Sequence, residues 1–315
     1  MKNKVIHADS LQALKNMPDK SVNLVCIDPP YNIGKDEWDD FGFSKKGYGG
    51  AIETSSNDYY FEWMNNIICE LDRVLKDNGS FFIFHNDFRS MAKLDQKIQE
   101  NTRMVFRQFL VWNKRFEGSP KKGFLDGFIV RGGLTNWNKM AEYVLFYTYN
   151  NSWKLKEERK KRNIKQTTIS KEILSKNGKQ TGWYSNLETG KNLPTKETII
   201  PITKHLGLTM EDLVPKFYNQ KKDHSVWNYD PDLSKMGHLT PKPVDLIKNI
   251  ILHTTEEGDI VLDCFAGSGT TGVAAQELNR KFILVEKEKE YISIIQNRLE
   301  KSAASLDSYL DVDFV

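Results

Sequence analysis

GDIVLDCFAGSGTTGVAAQEL at 258–278, followed by RKFILVE at 280–286, is the stretch that decides the fold. An apolar, β-branched run meets a loop with glycines at 267 and 269, a small-residue helical stretch follows, and a second apolar run closes on Glu286. The pattern reads as strand, helix and parallel strand, one half of a nucleotide-binding unit. Glycines let a ligand approach the backbone closely, and an acid at the end of the second strand can accept hydrogen bonds from both ribose hydroxyls. The loop carries glycines at 267, 269 and 272, the spacing of the dinucleotide fingerprint, and lacks the Lys of a phosphate-binding loop; the spacing by itself leaves open whether the ligand has phosphates. A glycine turn that only packs helix on strand is the alternative.

Outward from this unit the same alternation continues. PVDLIKNIILHTT at 243–255 and EYISIIQNRLEK at 290–301 are helical. At the other end, VIHAD, SLQALKNMP and SVNLVCID read as strand, helix, strand, and a helical pattern from Tyr60 to Leu75 ends at Asp77-Asn78-Gly79 before the buried-strand run SFFIFHN. Further strands fit Phe106–Trp112 and Tyr143–Thr148. Continuous apolar strands joined by crossover helices define an α/β doubly wound sheet with helices on both faces. The intervening NKRFEGSPKKGFLDGFIVRGG at 113–133, rich in Gly and Lys, reads as a long functional loop.

Composition sets the outer limits. The chain has 315 residues with 17 Phe, 12 Tyr and 7 Trp, too aromatic for a disordered or fibrous protein. No apolar run approaches the roughly 20 residues of a membrane span and no secretory stretch opens the chain, so a cytoplasmic location without membrane contact is expected. Cys26, Cys69 and Cys264 lie far apart, which argues against disulfides and a metal cluster. Residues 151–222 hold 16 Lys and Arg against seven Asp and Glu, a net +9 within a chain of net +3, so the remainder carries −6. Such asymmetry is the footprint of a nucleic-acid contact, although a basic run like Lys156–Lys165 also serves as a solvated helix face. The expected organisation is a catalytic domain from 1–150 and 226–301, a small helical insert at 151–225, and a loosely held tail at 302–315.

The second constellation is Asp28-Pro29-Pro30-Tyr31-Asn32, at the end of an apolar strand, where α/β folds bind ligands. Two prolines fix the backbone and remove two N–H donors, leaving carbonyls that only accept. With the Asp28 carboxylate beside them, the site suits an amino group that donates two hydrogens, and the Tyr31 ring offers a flat face to an aromatic base. A rigid turn after a strand explains the prolines but not the whole run.

DPPY at 28–31 and FAGSG at 265–269 resemble the amino-methyltransferases of DNA, which use S-adenosylmethionine and carry a DPPY-type catalytic motif and an FxGxG cofactor motif. The order, catalytic motif first, recognition region next and cofactor motif last, is similar to the permuted β group of that family. HADSLQAL at 7–14, EYVLFY at 142–147 and HLTPKPVDLIKNII at 238–251 extend the likeness over most of the chain outside the insert. The resemblance implies a Rossmann-like methyltransferase sheet. It also implies an adenine-N6 enzyme, since Asp heads the first motif, where cytosine-N4 enzymes more often show Ser; cytosine-N4 transfer and a non-catalytic DNA-binding regulator remain the alternatives.

Carried over position by position, the resemblance makes Asp28, Pro29, Pro30 and Tyr31 catalytic. It places Asp263, Phe265, Ala266, Gly267, Ser268 and Gly269 along the methionine end of the cofactor, with Asp28 nearby and Thr270 and Thr271 at the next helix start. Glu286 holds the ribose, Ala8 and Asp9 meet the adenine side, and His238, Thr240 and Lys242 lie along the methionine moiety. Asp9 also suits a helix cap, and His238 and Lys242 suit ordinary surface positions. No metal is implied. The glycine-rich segment 33–50 is expected to close over the flipped base.

Within the insert, ISKEILSKNGKQTGWYSNLETGKNLPTKETIIPITKHLGLTMEDL at 169–213 resembles a Cro/C1-type helix-turn-helix, with a generic helical recognition insert as the alternative. The resemblance puts a reading helix at about Gln180–Glu188, with Gln180, Tyr184, Ser185 and Asn186 facing bases. Lys160, Lys161 and Arg162 are the expected phosphate contacts, and Arg115, Lys121 and Lys122 of the long loop are further expected DNA-binding residues. The partner is double-stranded DNA; a homodimer and a paired restriction endonuclease are compatible with the resemblance.

Overall fold

A computed structural model of the chain describes residues 2–31, 58–122, 125, 140–175, 177–192, 196–217, 223–232, 241–306 and 311–315. Among these residues nine strands form one sheet in the order β6-β4-β5-β3-β2-β7-β8-β1-β9. They are β1 Asn3–His7, β2 Val22–Ile27, β3 Leu75–His85, β4 Val105–Asn113, β5 Ala141–Thr148, β6 Val226–Asn228, β7 Ile260–Asp263, β8 Lys281–Glu286 and β9 Val312–Phe314. β5 runs antiparallel to β3 and β4, and the other pairings are parallel.

The layers follow from burial. All six residues of β2 are buried, as a central parallel strand requires. One face packs Leu14, Met64, Ile68, Leu71 and Leu94 from helices α1 Ser10–Lys15, α2 Asp58–Val74 and α3 Phe88–Asn101. The opposite face packs Leu246, Ile250, Val273, Ile295 and Leu299 from three later helices, Val244–Thr254, Thr270–Glu277 and Lys289–Ser305. Helices on both faces make the sheet doubly wound, as the apolar strand runs require.

Between β5 and β6 the insert contributes α4 Trp153–Lys161, α5 Gln166–Ser170, α6 Trp183–Glu188, α7 Lys196–Leu206 and α8 Met210–Leu213. The three helices after it are therefore α9 Val244–Thr254, α10 Thr270–Glu277 and α11 Lys289–Ser305. The insert buries its own cluster, Leu155, Ile169, Tyr184, Leu187, Ile199, Ile202 and Leu206, separate from the two sheet faces. Arg159 and Glu188 pair at 2.5 Å inside it, and Gln166 adds a bond to the same carboxylate, which ties α4, α5 and α6 together.

Three features depart from the sequence reading. Within 302–315, expected as a loosely held tail, the described residues are ordered by neighbours: α11 continues to Ser305 with Ser302 and Ala303 buried, and Val312–Phe314 adds an edge strand parallel to β1. A strand gains most of its order from a neighbour's ladder, which three residues cannot announce by periodicity. α3 fills the gap between β3 and β4 with Asp87 as its N-cap, accepting from the Ser90 N–H at 2.7 Å. β3 starts at Leu75 and runs through Asp77-Asn78-Gly79, where composition indicates a turn. At Gly79 an added Cβ would lie 2.9 Å from the Asn23 carbonyl, so the glycine permits the close pairing of β3 with β2.

Candidate active site

The two motifs meet because β2 and β7 are neighbours in the middle of the sheet, paired at Leu24–Val261 and Val25–Leu262. Asp28 and Asp263 thus leave the carboxyl ends of adjacent parallel strands, the crevice where such sheets hold ligands.

On the β7 side the loop is bent by glycines: Gly267 has φ +52° and Gly269 φ +80°. A Cβ at Gly269 would come within 3.0 Å of Ile295, so both backbone conformation and packing demand glycine there. The Gly267 N–H donates to Glu286 Oε2 at 2.7 Å and the Glu288 N–H to Oε1 at 2.9 Å. Burial raises the Glu286 carboxyl, and those backbone N–H groups oppose the rise. Asp263 accepts from Thr271 Oγ1 at 2.6 Å and from the Phe265 N–H at 3.0 Å; burial, helped by the charges of Asp28 and Glu286, pushes its carboxyl up to about 7 despite these bonds.

Other expected cofactor residues hold structural posts. Ser268 and Thr270 turn their hydroxyls to Arg298 of α11 at 2.7 and 3.0 Å. Asp9 caps α1 through the Gln12 N–H at 3.1 Å, which realises the capping alternative. Ala8 donates its N–H to the Glu286 carbonyl at 3.1 Å, so the β1 end and the acid are adjacent. Ala266 is buried under the loop, and the Phe265 ring meets Trp63 at 5.7 Å. His238, Thr240, Asn32 and the segment 33–50 lie outside the described residues.

On the β2 side, Tyr31 donates its hydroxyl to Asp28 Oδ1 at 2.5 Å, and the Tyr60 hydroxyl donates to the Pro30 carbonyl at 2.8 Å. The Tyr31 ring lies 4.5 Å from the His85 ring, centroid to centroid. Lys242 is not an ordinary surface residue: its ammonium donates to Asp28 Oδ2, stands 3.2 Å from Glu142 Oε2, and is 7% exposed. The rings of Tyr31, Phe84 and Trp112 lie within 5.5 to 6.0 Å of the same ammonium. Burial alone would lower the Lys242 pKa, but Asp28 and Glu142 outweigh it and raise the value.

Glu142, Lys114 and His85 are the residues sequence reasoning missed. Glu142, the second residue of β5, accepts from Lys114 through Oε1 and lies 3.3 Å from the Tyr31 hydroxyl through Oε2. Burial works to raise its carboxyl, yet Lys242 and Lys114 hold it down at about 2. A lone acid near the start of an otherwise apolar strand, EYVLFY, was the available signal.

The expected DNA contacts divide. Lys160, Lys161, Arg162 and Gln180 are exposed, with Lys161 paired to Glu158 at 2.8 Å, and Ser185 and Asn186 are half-buried. Tyr184 is corrected: it is 0% exposed in the insert's core, because its ring supplies the apolar volume between α4 and α6, so it has no face to offer a base. The reading helix is shorter than expected, Trp183–Glu188, and Gln180 lies before it, bridged to Leu174. In the long loop, Lys121 donates to the Pro231 carbonyl and Lys122 pairs with Glu117, each at 2.5 Å; Arg115 begins the loop, its N–H bonded to Asn113.

The donor set fits S-adenosylmethionine. Glu286 keeps unused lone-pair directions for ribose hydroxyls, and the positive-φ glycines let a ligand approach the backbone. No group of metal-ligating side chains exists among the described residues, nor is any described helix long and apolar enough to cross a membrane.

A sequence profile for DNA methylases matches residues 22–297. Type II methyltransferase M1.MboII of Moraxella bovis is 28% identical over 309 residues, covering 95% of this chain and 98% of its own. DNA adenine methyltransferase YhdJ of Escherichia coli K12 is 29% identical over 300 residues, covering 94% and 82%. The crystal structure of M1.HpyAVI with S-adenosylmethionine superposes with a TM-score of 0.54 at 20% identity, covering 94% of this chain and 98% of that one.

Proposed function

The chain belongs to the DNA methylase family of N6/N4 methyltransferases, with S-adenosylmethionine as its cofactor, and from that premise we propose that it methylates the N6 amino group of adenine in double-stranded DNA at a specific sequence. The observation that carries the reading is the pairing of β2 with β7, which sets the acceptor turn Asp28–Tyr31 beside the glycine loop. Its likeness to an adenine methyltransferase supports adenine over cytosine as the target base. Its likeness to a Type II methyltransferase supports pairing with a restriction endonuclease.

The exocyclic amine is a poor nucleophile because its lone pair is delocalised into the ring. Asp28 and the Pro29 carbonyl accept its two N–H groups and favour a pyramidal nitrogen with a localised lone pair. S-adenosylmethionine, when bound, supplies a methyl on a sulfonium sulfur, which keeps the C–S electron pair as nitrogen forms the new bond. Asp28 then takes the surplus nitrogen proton and passes it to water. A stacked base cannot reach this turn, so it flips out, at a cost of a few kcal/mol, and rests against Tyr31. The basic insert grips phosphates, and residues of α6 read base edges.

Tritiated methyl transfer from S-adenosylmethionine to PCR-amplified genomic DNA, followed by nucleoside mass spectrometry, tests this. Label in N6-methyladenine is expected. Label in N4-methylcytosine would replace the base, and no label with intact cofactor binding would overturn the reading.

A further inference from the structure

Both carboxylate oxygens of Asp28 already hold a donor, Tyr31 on Oδ1 and Lys242 on Oδ2. The reading of Asp28 as the amine acceptor, on which this inference rests, finds lone-pair directions still open on those oxygens, but on a carboxylate already bonded to a cation. An ammonium bonded to Asp28 makes that carboxylate a weaker acceptor. It also opposes the positive charge that the amine nitrogen gains as the methyl arrives.

A second acceptor for the same two donors is already in place. Glu142 Oε2 is 3.3 Å from the Tyr31 hydroxyl and 3.2 Å from Lys242 Nζ, while Lys114 holds the other oxygen, Oε1. Glu142 and Lys242 are 7% exposed, so water does not compete strongly for these bonds. Movements of a fraction of an ångström would carry each donor from Asp28 to Glu142.

We propose that Glu142 is a positioning residue that takes the Tyr31 hydroxyl and the Lys242 ammonium from Asp28 when the target amine docks, leaving Asp28 to the amine. Glu142 acts through Tyr31 and Lys242 and does not touch the base. Its charge is essential to that role, because a neutral side chain at 142 leaves Lys242 with Asp28 as its one anionic partner among the described residues. Lys114 fixes the carboxylate so that Oε2 faces both donors.

The test compares single-turnover methyl transfer to PCR-amplified genomic DNA by the full-length wild type, Glu142→Gln, Lys242→Met and the double variant. S-adenosylhomocysteine affinity and melting temperature are measured on each. Glu142→Gln is expected to slow transfer about tenfold or more, a typical loss for a positioned proton-bonding group, with S-adenosylhomocysteine affinity within about twofold. The double variant is expected to match Lys242→Met within about threefold, because without the ammonium little is left to divert. A Glu142→Gln rate within about twofold of wild type overturns the proposal, as does a rate that falls only in step with cofactor affinity. Should Glu142→Gln fail to fold, the double variant, which removes both charges, decides: a rate about tenfold below Lys242→Met overturns it. Asp28→Ala, run alongside, separates the two readings. If it is inactive while Glu142→Gln is normal, the role of Glu142 fails and that of Asp28 stands.

Discussion

The backbone N–H of Gly267 donates to the Glu286 carboxylate at 2.7 Å, so the glycine loop and the acid at the end of the neighbouring strand are fastened to each other. The same acid accepts the Glu288 N–H, and one side chain thereby sets both the loop and the turn after β8.

Glu286→Ala removes those two acceptors together with the expected ribose contact. S-adenosylhomocysteine binding should weaken by about 1.5–3 kcal/mol, the range for bonds to a charged group. Calorimetric titration measures the loss. Thermal shift of the wild type should show stabilisation by S-adenosylhomocysteine and none by NAD, and stabilisation by NAD alone would contradict a nucleoside site without phosphates.

Asp28→Ala should abolish methyl transfer while leaving S-adenosylhomocysteine affinity within a few fold. The pairing of Lys242 with Glu142 keeps that ammonium compensated in the variant, so the chain should fold. Radiolabel transfer beside calorimetry separates chemistry from binding, and unchanged turnover would remove Asp28 from the mechanism.

In the insert, charge and reading should separate. Replacing Lys160, Lys161 and Arg162, all exposed, should weaken binding to every duplex and flatten the dependence of affinity on salt, since fewer counterions are released. Asn186→Ala should instead relax preference at one or two base pairs. Tyr184→Ala should destabilise the insert by about 3–5 kcal/mol, as loss of a buried aromatic does, and a stable Tyr184→Ala with altered site preference would contradict its place in the core.

The Asp263 carboxyl gives a pH dependence with a definite sign. In the fold it stays protonated up to about pH 7, whereas in the unfolded chain it ionises near about 3.9. Between these values the folded state binds more protons, so stability falls as pH rises through the window, by up to roughly 4 kcal/mol, and the loss is absent below it. Melting of the unliganded chain from pH 5 to 8 should therefore decline more steeply than in Asp263→Asn, and parallel curves would refute the assignment.

Much of the candidate site was legible because its signals are local. Asp28-Pro-Pro-Tyr and the 265–269 loop each lie within one strand–turn unit, where residue type and order carry the meaning, and the period of the apolar runs marks the strands that hold them. Lys242 was legible as a site residue but not in its partnership, since nothing near it in sequence names Asp28 or Glu142. α3 and β9 escaped because their order comes from packing and ladder bonds supplied by neighbours.

By itself the sequence determined the doubly wound class, the two motifs and their order along the chain, and the concentration of positive charge in one insert, because period, turn chemistry and composition are properties of short segments. Only the tertiary structure decided that β2 and β7 are neighbours, that Tyr184 belongs to a core, and that Asp28 shares its donors with Glu142. Those facts depend on which distant segments pack together, and that is settled by the burial of whole faces, which no local pattern encodes.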